Sequence, residues 1–262
     1  MLFDVNTAIG HWPFRKLPDD DASSLRKLLE SHKITMAAVA NINGIFYKNT
    51  QDANLELAGE LAPHRDFFIG IATLNPVYAA WERDLEYCVR TLGFKGLRLL
   101  PQYHNYPVFS PEAINIATAA AQLGIPVLIP QIIVDKRQKH WMDVETFVDV
   151  NELGRLCRKV PQARFILTEY RIHGALIDEN GKPLYPNLYI EISRLRSAYM
   201  QDMAKLAEKL GSDHLLFGSG APFKEISPAI LKMQCADLSE QEKARINRLN
   251  AQSLFSLLKI KK

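Results

Sequence analysis

Cysteine is scarce in this sequence: Cys88, Cys157 and Cys235 are the only three among 262 residues. Because they are odd in number and widely spaced, they form neither a disulfide framework nor a zinc-binding pattern. Each lies in a helical pattern, so we expect all three thiols to be buried and to act only as small hydrophobic residues.

Strong charge and long apolar runs are also missing. The formal net charge is +3, and lysines and arginines do not cluster beyond the terminal "KIKK", which disfavours a nucleic-acid partner. The longest apolar stretch, "LGIPVLIPQIIV", is interrupted and too short to cross a bilayer, and the N-terminus lacks the pattern of a signal peptide. We expect a cytoplasmic protein without a membrane partner.

What the sequence does contain is a regular alternation of strand and helix patterns. The apolar runs are "LFDVNTAI", "TMAAVANI", "DFFIGIATLN", "FKGLRLLP", "PVLIPQII", "RFILTEY", "LYIEISR" and "HLLFGSG". Eight units in 262 residues give about 33 residues each, the size of a βα repeat. A doubly wound open sheet would need a glycine-rich phosphate turn after the first strand, and "NTAIGHWPF" is not one. The sequence therefore predicts an α/β fold, a (β/α)8 TIM barrel that forms a single domain over residues 1–262.

Two helices carry clear boundary signals. Ser110 and Pro111 are suited to begin a helix that Gly124 ends, and Ser239 with Glu242 forms a capping-box pattern.

In such a barrel the active site lies at the carboxyl ends of the strands and in the loops that follow them. Two of these loops are long and polar: "VDKRQKHWMDVE" after the fifth strand and "RIHGALIDENGKPLYPN" after the sixth, where Asn180-Gly181 predicts a projecting hairpin. We expect both loops to cover the mouth of the barrel.

Four segments carry a family resemblance: "FDVNTAIG" at the first strand, "GFKGLRLLP" at the fourth, "LLFGSGAPF" at the eighth and the terminal "INRLNAQSLF". Through these segments the whole chain resembles the amidohydrolase-related (amidohydrolase 2) family of TIM-barrel hydrolases and decarboxylases. The resemblance implies the barrel fold, hydrolytic or decarboxylating chemistry, and association as a homodimer.

The resemblance also places the family's metal ligands on particular positions. The two first-strand histidines fall on Asn6 and Ala8, the fifth-strand histidine near Pro130, the sixth-strand histidine on Glu169 and the last aspartate on Gly220. A catalytic zinc site needs about three ligands from His, Asp, Glu or Cys, and only Glu169 qualifies. We therefore expect no metal and no other cofactor.

Acid–base candidates remain at the predicted mouth. The segments "NTAIGHWPFR" and "DKRQKH" resemble a metal-poor branch of the family. In the second segment, Asp135 is suited to orient His140 while Arg137 binds an anion. The alternative is a solvated loop with local ion pairs. His11 is a second candidate proton carrier, and packing at the mouth is its alternative role.

Other residues near the mouth allow a functional and a structural interpretation. Glu169 is a candidate catalytic carboxylate, but pairing of Glu169 or Glu191 with Arg98 or Arg194 would give a purely structural ion pair. Trp12 is a candidate substrate-binding residue whose alternative is packing in a lid.

Arginines from four different units would converge only if the barrel closes: Arg98, Arg137, Arg171 and Arg194. Guanidinium groups match carboxylates bidentately, so a small anionic ligand is expected, bound by Arg98, Arg137 and Arg194 together with Asn6 and Trp12. The predicted function is metal-independent hydrolysis of a lactone or ester, or decarboxylation, of a small carboxylate. The alternative is a catalytically silent barrel that binds a metabolite or a protein partner.

Overall fold

Eight parallel strands surround the axis of this molecule in the order in which they occur in the sequence. A computed structural model describes residues 1–144, 147–171, 176, 184–195 and 201–257. The strands are β1 (Leu2–Ile9), β2 (Ile34–Asn41), β3 (Phe68–Thr73), β4 (Gly96–Arg98), β5 (Val127–Pro130), β6 (Phe165–Thr168), β7 (Leu188–Glu191) and β8 (Leu215–Leu216). The predicted (β/α)8 barrel is confirmed.

Backbone hydrogen bonds between β1 and the chain at and after β8 close the ring. Val5 N donates to Phe217 O at 3.0 Å and Ala8 N donates to Ala221 O at 3.0 Å. Gly220 N donates to Asn6 O at 2.9 Å, so the first and last units meet directly at the carboxyl end of the barrel.

In the described part of the chain, helices lie between many of the strands and after β8. They are α1 (Ala22–Ser31), α2 (Thr50–Leu61), α3 (Trp81–Arg90), α4 (Pro101–His104), α5 (Pro111–Gln122), α6 (Val150–Lys159), α7 (Gln201–Leu210), α8 (Ser227–Cys235), α9 (Glu240–Ala244) and α10 (Asn250–Leu254). Among the described residues, no helix is both long enough and apolar enough to cross a bilayer.

The predicted helix boundaries are confirmed. The Ser110 side chain accepts from Ala113 N at the start of α5, and Gly124 follows the helix with a φ of +70°, a conformation that glycine adopts without strain. Ser239 and Glu242 form the predicted capping box at α9.

The expectation for the cysteines is wrong in one case. Cys88 and Cys157 are free and buried, as expected, but Cys235 is exposed because it ends α8 on the side that faces solvent. The predicted Asn180-Gly181 hairpin turn and the terminal "KIKK" lie outside the described residues.

An apolar plug fills the amino end of the barrel. Phe3 and Val5 of β1 pack inside with Leu128, and α10 contributes Leu254 next to Phe255. The rings of Phe3 and Phe255 lie 5.7 Å apart. Because apolar side chains fill this end, the polar side chains that point into the barrel gather at the carboxyl end.

Candidate active site

All five positions at which the family resemblance places metal ligands meet in space. One small cavity of about 20 Å³ at the carboxyl end of the strands is lined by Asn6, Ala8, Pro130, Glu169 and Gly220, with Arg98 and five further residues beside them. A volume of this size holds about one water molecule.

The Asn6 side chain forms hydrogen bonds with three charged residues at the cavity. A register shift between Asp4 and Thr7 marks a bulge in β1, which redirects the side chains next to it. The Asn6 amide nitrogen donates to Glu169 Oε1 at 2.7 Å and to Glu191 Oε2 at 3.0 Å. Its amide oxygen accepts from Arg98 Nη2 at 2.8 Å. One neutral side chain therefore joins two carboxylates to a guanidinium.

Glu169 lies at the end of β6 and has a φ of +58°, an uncommon value for a residue with a side chain. Its Oε2 accepts from Arg194 Nε at 2.6 Å and from Lys224 Nζ at 3.1 Å. Burial opposes the charge, but the positive charges of Lys224 and Arg194 outweigh it and hold the pKa of the Glu169 carboxyl below its ordinary value.

The pKa of the Glu191 carboxyl, at the end of β7, is shifted in the opposite direction. Burial raises the pKa of its carboxyl, Lys224 opposes this shift and the negative charge of Glu169 adds to it. Ser193 Oγ donates to Glu191 Oε2 at 2.9 Å and accepts from Lys224 Nζ at 2.5 Å. The serine hydroxyl thus connects the more proton-retaining carboxylate to the lysine.

Asp135, after β5, binds guanidinium groups from three loops. Its carboxylate accepts from Arg137 Nε at 3.1 Å, from Arg171 Nη2 at 3.1 Å and from Arg194 Nη1 at 3.2 Å. The hydrogen bonds from Arg137 hold the pKa of the Asp135 carboxyl well below its ordinary value. Arg194 therefore links Asp135 to Glu169.

An open pocket of about 470 Å³ lies beside this network. It is lined by Asp135, Lys136, Arg137, Arg171, Ser193, Arg194, Leu195 and Lys224. Five of these residues carry a positive charge and one carries a negative charge. We call this the basic pocket.

The predicted pairing of Asp135 with His140 is wrong. The carboxylate of Asp135 is occupied by the three guanidiniums, while His140 Nδ1 accepts from the backbone N–H of Met142 at 3.3 Å. The half-buried His140 ring instead stacks on Phe14, with the ring centroids 5.3 Å apart. The Arg137 side chain is 86% exposed, so it lies at the outer rim of the basic pocket.

The other predicted residues after β1 and β4 lie around the mouth in different ways. The His11 side chain is exposed. Trp12 is 2% exposed and belongs to an apolar cluster with Leu100 and Ile42, with the ring of Phe223 at 5.1 Å. Arg98 is buried in the small cavity, where burial lowers its pKa to about 10.

Three charged groups of the site escaped sequence reasoning. Asp4 Oδ1 accepts from the backbone N–H groups of Asn6 and Ser219, and burial raises the pKa of Asp4 to about 7. Lys232 Nζ donates to Ile192 O at 2.6 Å, which fixes the turn after β7, and burial lowers its pKa to about 8. Lys224 is the third. Its only sequence signal is its position four residues after Gly220.

The side chains at the family's ligand positions do not suit a divalent metal. Glu169 is the one anionic donor of the five, and both of its oxygens already accept hydrogen bonds from other side chains. Within the described residues, no three His, Cys, Asp or Glu side chains come together in a way that would hold a metal ion.

Comparison with known proteins agrees with the resemblance seen in the sequence. The sequence profile of the amidohydrolase family matches residues 9–257. The 2,6-dihydroxybenzoate decarboxylase from Rhizobium superposes with a TM-score of 0.73 at 18% identity, over 98% of both chains.

Two further solved structures are similar at low identity. A dihydroxybenzoic acid decarboxylase from Polaromonas, solved with manganese and 2-nitroresorcinol, has a TM-score of 0.71 and 19% identity, over 98% of this chain and 97% of that one. A probable 2-pyrone-4,6-dicarboxylic acid hydrolase from Acinetobacter baumannii, solved with citric acid, has a TM-score of 0.66 and 15% identity, over 97% of this chain and 99% of that one. At these identities the similarity establishes the fold.

Proposed function

This chain belongs to the amidohydrolase family, and from that premise we propose that it is an enzyme acting on a small carboxylate in the basic pocket. The reaction is hydrolysis of a lactone or activated ester, or decarboxylation. It proceeds by acid–base chemistry at the mouth of the barrel, without a bound metal.

The observation that carries this proposal is the charge of the basic pocket. Five cationic side chains and one carboxylate line about 470 Å³ of open space, enough for a small organic anion. Arg171 and Arg194 come from the loops after β6 and β7, and Asp135 holds both guanidiniums in place. Preoriented guanidiniums recognise a carboxylate and stabilise an oxyanion that develops during the reaction.

Glu169 and Glu191 are suited to different protonation states. The pKa of Glu169 is lowered and that of Glu191 is raised, a separation typical of acid–base pairs in active sites. Glu191 is fully buried, but Ser193 lines the basic pocket. The Ser193 hydroxyl donates a hydrogen bond of 2.9 Å to Glu191 Oε2. We propose that a proton passes between Glu191 and the substrate through the Ser193 hydroxyl.

The two histidines predicted from the sequence remain candidate proton carriers. His140 belongs to the loop after β5 that also supplies Asp135 and Arg137, and it lies against Phe14 with one ring nitrogen accepting from Met142. His11 is exposed on the loop after β1. In this second route, His140 carries the proton from the same loop that supplies Asp135 and Arg137 to the basic pocket.

The similar structures support the substrate class. Two of them are decarboxylases of dihydroxybenzoic acids, and the third is a probable hydrolase of a pyrone dicarboxylic acid. Each of these substrates carries a carboxylate, as the basic pocket requires. The Polaromonas protein holds manganese. We propose a metal-independent mechanism for this chain because the side chains at its five ligand positions do not suit a divalent metal.

The test is a screen of the purified protein against lactones, carboxylate esters and aromatic carboxylic acids, with and without EDTA. Elemental analysis of the same preparation reports any bound metal. We expect turnover of at least one carboxylate that EDTA leaves unchanged and that Arg171→Met weakens. Activity that disappears with EDTA and returns with manganese would contradict the metal-independent mechanism. Ligand binding without any turnover would favour the silent barrel. Sedimentation of the same sample tests the predicted homodimer.

A further inference from the structure

We infer that the ammonium group of Lys224 is a built-in cation that takes the place of a divalent metal at the mouth of this barrel. The inference concerns what occupies the small cavity and its surroundings. It stands independently of which substrate the basic pocket accepts.

The first step is the environment of Glu169. Lys224 Nζ lies 3.1 Å from its Oε2, and Arg194 Nε lies 2.6 Å from the same atom. Oε1 accepts from Asn6 at 2.7 Å. A metal ion at Glu169 would have to displace at least one of these donors, and displacing Lys224 or Arg194 would break an ion pair of this buried carboxylate.

The second step is the space beside Gly220, where the family resemblance places a metal-binding aspartate. A Cβ atom built on Gly220 would lie 2.4 Å from Lys224 Cε and 2.6 Å from Glu169 Oε1. Both distances are far below van der Waals contact. An aspartate at 220 and Lys224 in its present position therefore exclude each other, so the lysine occupies the volume of the missing ligand.

The third step is the balance of charge. Glu169 and Glu191 are both buried, and Asn6, which lies between them, is neutral. Lys224 bonds to Glu169 directly and reaches Glu191 through Ser193 Oγ. It compensates negative charge at this point, as a metal ion held by carboxylates would do.

The fourth step is access to a ligand. The side chain of Lys224 is 22% exposed and lines the basic pocket. An ammonium group has three N–H donors, and Glu169 and Ser193 take two of them. The third is available to a carboxylate or a developing oxyanion, the groups that a metal would otherwise polarise.

The experiment measures manganese binding by calorimetry and by electron paramagnetic resonance, for the wild type and Lys224→Ala. Lys136→Ala is the matched control. Lys136, like Lys224, is a lysine that lines the basic pocket, but it makes no hydrogen bond to Glu169. Neither measurement needs a substrate, so its outcome is separate from that of the activity screen.

We expect no stoichiometric manganese site in the wild type or in Lys136→Ala. In Lys224→Ala the affinity for manganese should rise at least tenfold. Methylammonium should raise the melting temperature of Lys224→Ala and leave that of the wild type unchanged.

A stoichiometric manganese site in the wild type would overturn the inference, and so would an affinity for manganese that is the same in Lys224→Ala as in the wild type. If Lys224→Ala does not fold, the wild-type titration still decides, because a one-to-one site in the presence of Lys224 is incompatible with its role. Lys224→Arg then serves as the folded comparison: it keeps the positive charge and should bind no more manganese than the wild type.

Discussion

Arg98 and Asn6 are joined across the barrel by a hydrogen bond of 2.8 Å from Nη2 to the amide oxygen. This bond fixes which end of the amide faces the carboxylates. The nitrogen must point towards Glu169 and Glu191, because the oxygen is committed to the guanidinium. An asparagine with a fixed orientation thus does at this position what neither a neutral histidine nor a carboxylate would do: it donates two N–H groups to two buried anions at once.

Asn6→Ala should lower the free energy of unfolding by about 2–4 kcal/mol, because it removes one buried hydrogen-bond partner from each of the two carboxylates and from Arg98. Urea unfolding at neutral pH measures the change. The control is Asn151→Ala on the exposed face of α6, which we expect to change stability by less than about 0.5 kcal/mol. Equal losses in both variants would show that the network around Asn6 contributes nothing special.

Asp4 should make stability depend on pH. Its pKa is about 7 in the folded protein, against an ordinary value of 3.8, so the folded state keeps a proton that the unfolded chain has lost between those values. Its contribution to stability is complete below pH 4 and is lost as the pH rises through 7, by about 1.4 kcal/mol per pH unit.

Asp4→Asn removes this dependence and keeps the oxygen that accepts from Asn6 and Ser219. We expect urea titrations at pH 5, 6, 7 and 8 to show that the free energy of unfolding of the variant rises relative to that of the wild type, by about 2–3 kcal/mol from pH 5 to pH 8. A constant difference between the two proteins would mean that Asp4 is already ionised at pH 5.

Arg171 and Arg194 should respond differently to replacement by methionine. Arg194 is buried and pairs with both Glu169 and Asp135, so Arg194→Met should cost about 3–5 kcal/mol of stability. Arg171 is 27% exposed at its side chain, and Arg171→Met should cost about 1 kcal/mol or less.

For ligand binding we expect Arg171→Met to weaken the affinity for citrate, used as a carboxylate probe, by about tenfold in calorimetry. The experiment uses this variant because its fold should survive. Unchanged citrate affinity would place the anion outside the basic pocket.

Two single substitutions distinguish the two proposed proton routes. Ser193→Ala should lower kcat by about a hundredfold if the proton passes through the hydroxyl to Glu191, and His140→Ala should do so if the imidazole acts directly. The stability of His140→Ala should change by less than about 1 kcal/mol, since its ring is half-buried and stacks on Phe14. Both are assayed with the substrate that the screen identifies. If both variants keep full activity, neither route is used.

The sequence predicted the barrel because the signals for it are local and repeated. The alternation of apolar runs recurs in every unit, and the run "LFDVNTAI" has the bounds of β1. The capping box at Ser239 works within four residues. Signals of this kind need no knowledge of what lies across the molecule.

The pairing of charges in the site depends on contacts that a linear pattern does not encode. The sequence indicated that Arg98 and Arg194 come to the mouth, but Asp135 binds a guanidinium 59 positions away instead of the imidazole five positions away. Lys224 was not singled out in the sequence, because only closure of the barrel brings it against Glu169, 55 positions earlier. Cys235 was misplaced for a similar reason: a helical pattern alone does not say which side of the last turn faces solvent.

The ammonium of Lys224 is attached to the chain by covalent bonds. A metal centre is loaded from solution, and its occupancy follows the supply of the ion and the presence of competitors. A charge carried by a side chain has no such equilibrium: every folded copy contains it from the moment of folding, at any dilution. In the proposed metal-free centre, the 3.1 Å contact between Lys224 and Glu169 forms together with the fold and needs no ion from solution.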